Sequence, residues 1–325
     1  MIRDVGINNF KSVKHLYLDC KRINIFIGEP NTGKSNILET LGVFSFGCCV
    51  GGNEGNISNF VRFERMSNLF YDENLDDNIN IIFDDKNLEI KFEEGKFYGR
   101  GRDAEKEIFA FMYDYDGRGS TSHSNPLPFR FYRFVVMEDF KTKKPDFLLP
   151  PFGENLLAVL LTHKELKSIA SQIFSPFGLR LVLRPQDNKM EVLKQSEDIV
   201  ISYPYSLVSD TFQRIIFYLA AIHSNKDAII AFEEPESHAF PYYTKYLAEI
   251  IALDKNNNQY FISTHNPYLL LSILEKSPKD DVGIFITYFE DYQTKVKPLS
   301  EKEKEELMEM EIDIFFNIER FLAKR

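Results

Sequence analysis

No apolar run in this 325-residue chain approaches the roughly 18 residues that a membrane-spanning helix requires. The N-terminus, Met1-Ile2-Arg3-Asp4-Val5, lacks the long apolar stretch of a signal peptide. Cysteine is scarce, and Cys20, Cys48 and Cys49 form neither a metal-ligand spacing nor an even disulfide set, as suits a reducing compartment. Basic charge is also short. Against 49 Asp and Glu there are 39 Lys and Arg, a net charge of −10, which argues against a dedicated duplex-DNA binder. No internal repeat or heptad run is present, so no long coiled coil is expected. Together these absences predict a cytoplasmic protein without membrane contact. What remains is ordinary globular composition, 44% hydrophobic and 27% charged, enough for one large domain or two moderate ones.

The most informative segment is Gly28-Glu29-Pro30-Asn31-Thr32-Gly33-Lys34-Ser35, a match to G-x-x-x-x-G-K-[ST]. Ile23 to Ile27 before it reads as a buried strand, and Lys34 to Leu41 opens a helix that begins with Ser35 and Asn36. Glycines let backbone N–H groups converge on phosphate oxygens, and the helix N-terminus adds partial positive charge. Lys34 is expected to bridge the β- and γ-phosphates and Ser35 to place its hydroxyl on Mg²⁺. Residues 28–36 are therefore the expected nucleotide cradle.

Further along, Val5 to Phe10 and Leu16 to Leu18 read as strands leading to that loop, and Gly47 to Asn53 as a turn after its helix. Alternating runs at Ile79–Phe83, Leu88–Phe92 and Phe129–Val135 predict an antiparallel sheet with one wet face. Gly117 to Ser122 reads as a mobile loop, and Glu154 to Ser171 as one amphipathic helix. The second half returns to α/β alternation: strands at Ala228–Phe232, Tyr260–Ile262 and Val282–Tyr288, a helix at Pro241–Leu253, and a terminal helix at Glu301–Arg325. The ligand is expected at the carboxyl ends of those strands. The organisation this predicts is a core of residues 1–46 and 199–299, an inserted β lobe and helical segment at 47–198, and a C-terminal helix at 300–325.

Two strand ends carry candidate chemistry. Ile229 to Phe232 runs into Glu233-Glu234-Pro235-Glu236. Mg²⁺ takes hard oxygen ligands and keeps several waters, so Glu233 is assigned to the metal, through water, and Glu234 to polarising the attacking water. Ser263-Thr264-His265-Asn266-Pro267 follows the next strand, and His265 is placed to donate to the γ-phosphate; the alternative is a helix cap without a ligand.

The order phosphate loop, long insert, short helix, strand–Glu–Glu–Pro, strand–Thr–His resembles that of ABC-type ATPase heads. The likeness is to AAA-labelled ATPases near the OLD, RecF and SMC groups. Asn9-Phe10-Lys11-Ser12 resembles the element that opens those heads, Glu233 to His238 their Glu-Glu-Pro-Glu-Ala-His run, and Ser263 to Leu269 their Thr-His-Ser-Pro segment. The resemblance implies an α/β P-loop NTPase, ABC-ATPase-head-like, with an antiparallel β lobe and a helical insert. It implies ATP and Mg²⁺ as cofactors, and nucleotide contacts from Lys11 and Ser12. It also implies a homo-oligomer, at least a dimer, in which two heads sandwich ATP and Ser209 of the signature segment Val208–Arg214 faces the partner's γ-phosphate. Thr211 stands where the family has glycine, and the family's magnesium-sensing glutamine has no convincing counterpart. About 60 residues follow His265, so a separate effector is expected rather than a fused nuclease. The implied function is an ATP-driven switch controlling that effector, in prokaryotic defence or DNA maintenance. A non-hydrolysing nucleotide-gated scaffold stays open as an alternative. So does a RecF-like repair ATPase that binds DNA through a local patch such as Lys141, Lys143 and Lys144 or Arg130 and Arg133.

Overall fold

In the computed structural model, which describes residues 1–49, 56–123, 127–141, 146–196, 199–310 and 315–322, every side chain of the strand before the glycine loop is buried. A strand buried on both faces must lie inside a sheet covered on both sides. The chain begins with strands β1 (Asp4–Phe10), β2 (Val13–Asp19) and β3 (Ile23–Ile27), then helix α1 (Lys34–Cys49). Five antiparallel strands follow: β4 (Ile79–Phe83), β5 (Lys86–Glu93), β6 (Lys96–Asp103), β7 (Lys106–Tyr113) and β8 (Gly119–His123). Then come β9 (Phe129–Tyr132), helices α2 (Leu156–Thr162) and α3 (Lys164–Phe174), and strands β10 (Leu179–Arg184), β11 (Lys189–Ser196) and β12 (Ile199–Pro204). The last part is α4 (Asp210–Ser224), β13 (Ile229–Glu233), α5 (Pro241–Ala252), β14 (Gln259–Ser263), α6 (Pro267–Lys276), β15 (Val282–Glu290), β16 (Gln293–Pro298), α7 (Glu301–Glu309) and α8 (Glu319–Leu322).

The strands form three sheets. A six-stranded sheet in the order β16-β15-β3-β14-β13-β9 is parallel except for its β15–β16 hairpin. Its side chains divide by the period of two that a pleated strand imposes. Ile23, Ile25, Ile27, Ile230, Phe232, Tyr260 and Ile262 enter a core with helices α2 to α6. Phe26, Ala231, Phe129, Phe131 and Phe261 enter a second core with α1 and the seven-stranded antiparallel sheet β2-β1-β4-β5-β6-β7-β8. Helix α1 is buried almost all round because it lies between the two sheets, and its sequence is correspondingly apolar on every face. Hairpins β10–β11 and β11–β12 make a small third sheet that the sequence pattern did not reveal. Among the described residues no helix is long and apolar enough to cross a membrane.

Several expectations are corrected. Phe129–Tyr132 pairs parallel with β13 rather than joining the antiparallel sheet, because Phe129, Phe131 and Tyr132 are all buried and need cover on both faces. β1 pairs with β4, so residues 1–46 contribute a strand to the antiparallel sheet, and residues 129–132 contribute one to the parallel sheet. Gly119–His123, expected to be a loop, pairs with β7. The helix expected over Glu154–Ser171 breaks at His163 (φ −96°, ψ 102°), where the Thr162 hydroxyl closes the end of α2 on the carbonyls of Ala158 and Val159. The terminal helix is likewise two pieces, α7 and α8. Gly47 to Cys49, expected to turn, continue α1, and residues 50–53 lie outside the described residues.

Candidate functional site

Strand β3 ends at Ile27, and the next six residues wrap the start of α1. Gly28 (φ 150°), Asn31 (φ 62°) and Gly33 (φ 95°) take backbone angles that L side chains rarely adopt. Ile37 N–H donates to Gly33 O at 3.1 Å to start the helix. Lys34 is 6% exposed. Its ammonium donates to the carbonyls of Gly28 (2.9 Å) and Glu29 (2.7 Å). Burial pulls its pKa down to about 8, opposed by the carboxylates of Glu234 and Glu29. Thr32 Oγ1 donates to Glu29 O at 2.8 Å, which closes the loop on itself.

Parallel pairing delivers the other pieces. Glu233 pairs with Ser263 and Ser263 with Phe26, so the carboxyl ends of β13, β14 and β3 stand level. Residues just past those ends meet at a cavity of about 430 Å³ lined by Ser12, Pro30, Asn31, Gly33, Lys34, Ser35, Asn36, Arg62, Glu234 and His265. That volume is in the range of small-molecule sites. Glu234 sits at φ 43°, a strained angle for its type, held by its N–H donating to Ser263 O at 3.0 Å. Ser237 Oγ donates to Glu234 Oε2 at 3.2 Å, and His265 Nε2 lies 3.5 Å from Oε1. Burial and the nearby Lys34 ammonium lower the His265 pKa, against the pull of Glu234. Helix capping falls to Asn266 instead, whose side chain accepts from the amides of Tyr268 and Leu269.

Glu236 lies beneath this edge. One carboxylate oxygen accepts from the Thr264 hydroxyl and from His265 N–H at 3.3 Å; the other, Oε2, is buried with no partner. Burial raises its pKa to about 7, against the Thr264 hydrogen bond.

Beside the cavity is an ion cluster that no motif or periodicity marks. Glu39 on α1 has no solvent exposure and takes Lys11 Nζ, Arg62 Nε (2.7 Å) and Arg133 Nη2 (3.4 Å). Glu233 completes it, with Arg62 Nη2 at 2.8 Å on Oε1 and Arg133 Nη2 at 3.4 Å on Oε2. Two expected site residues are therefore elsewhere. Lys11 is away from the cavity wall because the buried Glu39 requires a counter-charge. Glu233 turns both oxygens to guanidinium groups rather than into the cavity. Ser209 is also outside the wall, at the N-cap of α4 with no side-chain capping bond. Of the loop, Gly28, Glu29 and Thr32 stand behind the wall. Arg62, which does line the cavity, was missed: it lies in an irregular segment without periodicity or motif. Among the described residues no group of three His, Cys, Asp or Glu side chains is arranged to hold a metal by itself. The residues at hand fit an ion that arrives with phosphate oxygens, since Ser35 lines the cavity beside the carboxylate of Glu234.

The expected basic patch is otherwise engaged. Arg130 donates to the carbonyls of Leu127 and Phe129 and stacks on Phe147, Arg133 belongs to the ion cluster, and Lys141 pairs with Glu154. Lys143 and Lys144 lie outside the described residues.

Residues 1–120 match a family model described as an AAA ATPase domain. Residues 202–272 match one described as an AAA domain, putative AbiEii toxin, Type IV TA system. No curated protein matches. Among solved structures, an Smc head bound to the C-winged helix domain of ScpA is 17% identical, with a TM-score of 0.54 over 93% of this chain and 99% of that one. An Smc head domain with an extended coiled coil, bound to the C-terminal domain of ScpA derived from Pyrococcus furiosus, is 16% identical, with a TM-score of 0.50 over 95% of this chain and 98% of that one. At these identities the likeness is one of fold.

Proposed function

We propose that this chain, an ABC/SMC-like AAA ATPase head, binds Mg²⁺·ATP between its phosphate loop, Glu234 and His265 and hydrolyses it as a conformational switch. The observation that carries the reading is one cavity wall to which the phosphate loop, Glu234 and His265, far apart in sequence, all contribute. Loop amides and the N-terminus of α1 receive the phosphates. Lys34 exchanges its two loop carbonyls for β- and γ-phosphate oxygens. Glu234 orients the attacking water and takes its proton, its angle fixed by Ser263 and Ser237. His265, in the cavity wall, donates one N–H to the γ-phosphate. Ser35 would hold Mg²⁺ together with phosphate oxygens, Glu233 joining through water only on release from Arg62 and Arg133, and the ion would supply charge neutralisation on the phosphates.

Ser209 stands outside its own cavity, as suits a donor to a second copy's nucleotide, so ATP would hold two heads together and hydrolysis would release them. A separate effector protein is the element on which such a switch acts. The Smc heads of similar fold are seen with a ScpA domain bound, and the toxin–antitoxin description of one matching model favours a prokaryotic defence role over DNA maintenance. Direct DNA binding is disfavoured by the engaged Arg130, Arg133 and Lys141.

Single-turnover hydrolysis in Mg²⁺ tests the proposal: phosphate release that Lys34→Ala abolishes is expected. One rival has specific support. Thr211, at the position of the family glycine, donates its hydroxyl to His238 O at 2.9 Å, and Glu233 is paired to arginines. Nucleotide binding without phosphate release would establish a nucleotide-gated scaffold instead.

A further inference from the structure

We infer that Thr287 and Thr294, on the β15–β16 hairpin, are positioning residues that set the shape of the phosphate loop. The inference rests on the reading that this loop binds nucleotide. Both threonines lie outside the two segments matched by the AAA models, and both are fully buried.

Strand β15 runs parallel to β3 with Ile286 opposite Ile27, which brings Thr287 level with Gly28. A Cβ on Gly28 would collide with Thr287 O and lie 2.5 Å from its Oγ1. The Thr287 hydroxyl donates to Ile27 O at 3.1 Å and lies 2.8 Å from Thr32 Oγ1. Each hydroxyl carries one proton, so the Thr32–Thr287 contact is made by whichever proton leaves its carbonyl, that of Thr32 from Glu29 O or that of Thr287 from Ile27 O. This chain of hydroxyls pins the first half of the loop to the strand beside it.

Thr294 does the same for the second half. Its N–H donates to Ser12 O at 2.7 Å, and its Oγ1 lies 2.6 Å from Ser12 Oγ. Ser12 Oγ in turn accepts from Asn36 Nδ2 at 2.7 Å, so the network reaches the first turn of α1. A Cβ on Gly33 would overlap Thr294 Oγ1 and sit 2.8 Å from Cγ2. The second glycine of the motif is therefore required twice: by its φ of 95° and by the threonine packed under it.

A residue that merely fills space is replaceable by a side chain of the same shape. A residue that holds the loop through its hydroxyl is not. Valine keeps the shape of threonine and deletes the hydroxyl, whereas serine keeps the hydroxyl and deletes a methyl. Thr287→Val, Thr294→Val and Thr294→Ser are compared by titration with a fluorescent ATP analogue in Mg²⁺. Thermal unfolding is recorded without nucleotide, and hydrogen exchange is followed at the amides of residues 28–35. The valine variants are expected to weaken binding about tenfold, the factor for one lost buried hydrogen bond. They should also speed exchange in the loop while leaving it unchanged elsewhere, and Thr294→Ser should stay within about twofold of wild type. Should a valine variant not fold, the alanine variant at that position, which introduces no new atoms, carries the same expectation. Valine variants that bind and exchange like wild type overturn the inference. A wild-type protein that binds no nucleotide overturns the functional reading and the inference with it, an outcome distinguishable at the first titration.

Discussion

Glu39→Gln removes one anion from the centre of a five-residue cluster of three cations and two anions. The Glu39 side chain has no exposure, Lys11 has 11% and Arg133 22%, so water cannot take the lost carboxylate's place. Breaking a buried ion pair from one side costs about 3–5 kcal/mol, because the abandoned charges stay buried. Arg62 is half exposed and can be resolvated, so its share is discounted and a loss of about 3 kcal/mol is expected. Glutamine keeps the shape and one acceptor oxygen, so packing contributes little. Equilibrium urea unfolding of the full chain reads the loss directly. The compensating change follows from the same charge count. Lys11→Met in the Glu39→Gln background restores the original excess of one positive charge and is expected to recover about half of the loss. Lys11→Met alone, which leaves Glu39 with two arginines, should cost less than Glu39→Gln. A loss under about 1 kcal/mol for Glu39→Gln, or a double variant as unstable as the sum of the single ones, would refute the buried-cluster argument.

The catalytic assignment predicts that Glu234→Gln retains ATP and accumulates any ATP-bound dimer while phosphate release falls by about 10²–10⁴; hydrolysis at the wild-type rate would show that another group activates the water. Lys34→Ala should lose nucleotide binding altogether in a filter or fluorescence assay, with little change in the unfolding midpoint, since its ammonium contacts only two loop carbonyls. Glu236 has a folded-state pKa of about 7, above its ordinary value of 4.5, so its contribution to stability is present below pH 4.5 and lost as pH rises through 7. Glu236→Gln should remove that fall, on the order of 2–3 kcal/mol between pH 5 and 8 by urea unfolding; an unchanged pH profile would mean the fall comes from another group.

The parts of this molecule that could be read from sequence are those whose cause is local. Ile23 to Ser35 announces strand, loop and helix because an unbroken apolar run, positive-φ glycines and a helix-opening Lys-Ser-Asn follow one another directly. That Glu234 and His265 lie near each other is legible because each follows an apolar strand, and parallel pairing puts such strand ends side by side. What was hidden depends on partners distant in sequence. Phe129–Tyr132 reads the same whether it joins a parallel or an antiparallel sheet, and only β13 decides. The apolar period across Leu156 to Ile173 continues through His163, so periodicity alone cannot mark the break. Glu39 is one acid in an apolar helix, and nothing near it shows that Lys11, Arg62 and Arg133 will converge on it. Thr287 and Thr294 likewise look like ordinary strand residues until the hairpin folds beneath the loop.

The central claim concerns where a nucleotide sits. A crystal structure with Mg²⁺ and a slowly hydrolysed ATP analogue should show the triphosphate inside the cavity, with Lys34 moved from the carbonyls of Gly28 and Glu29 to phosphate oxygens and Glu234 and His265 facing the terminal phosphorus. A nucleotide bound elsewhere, or Lys34 still held by its own loop while the analogue is present, would contradict the account.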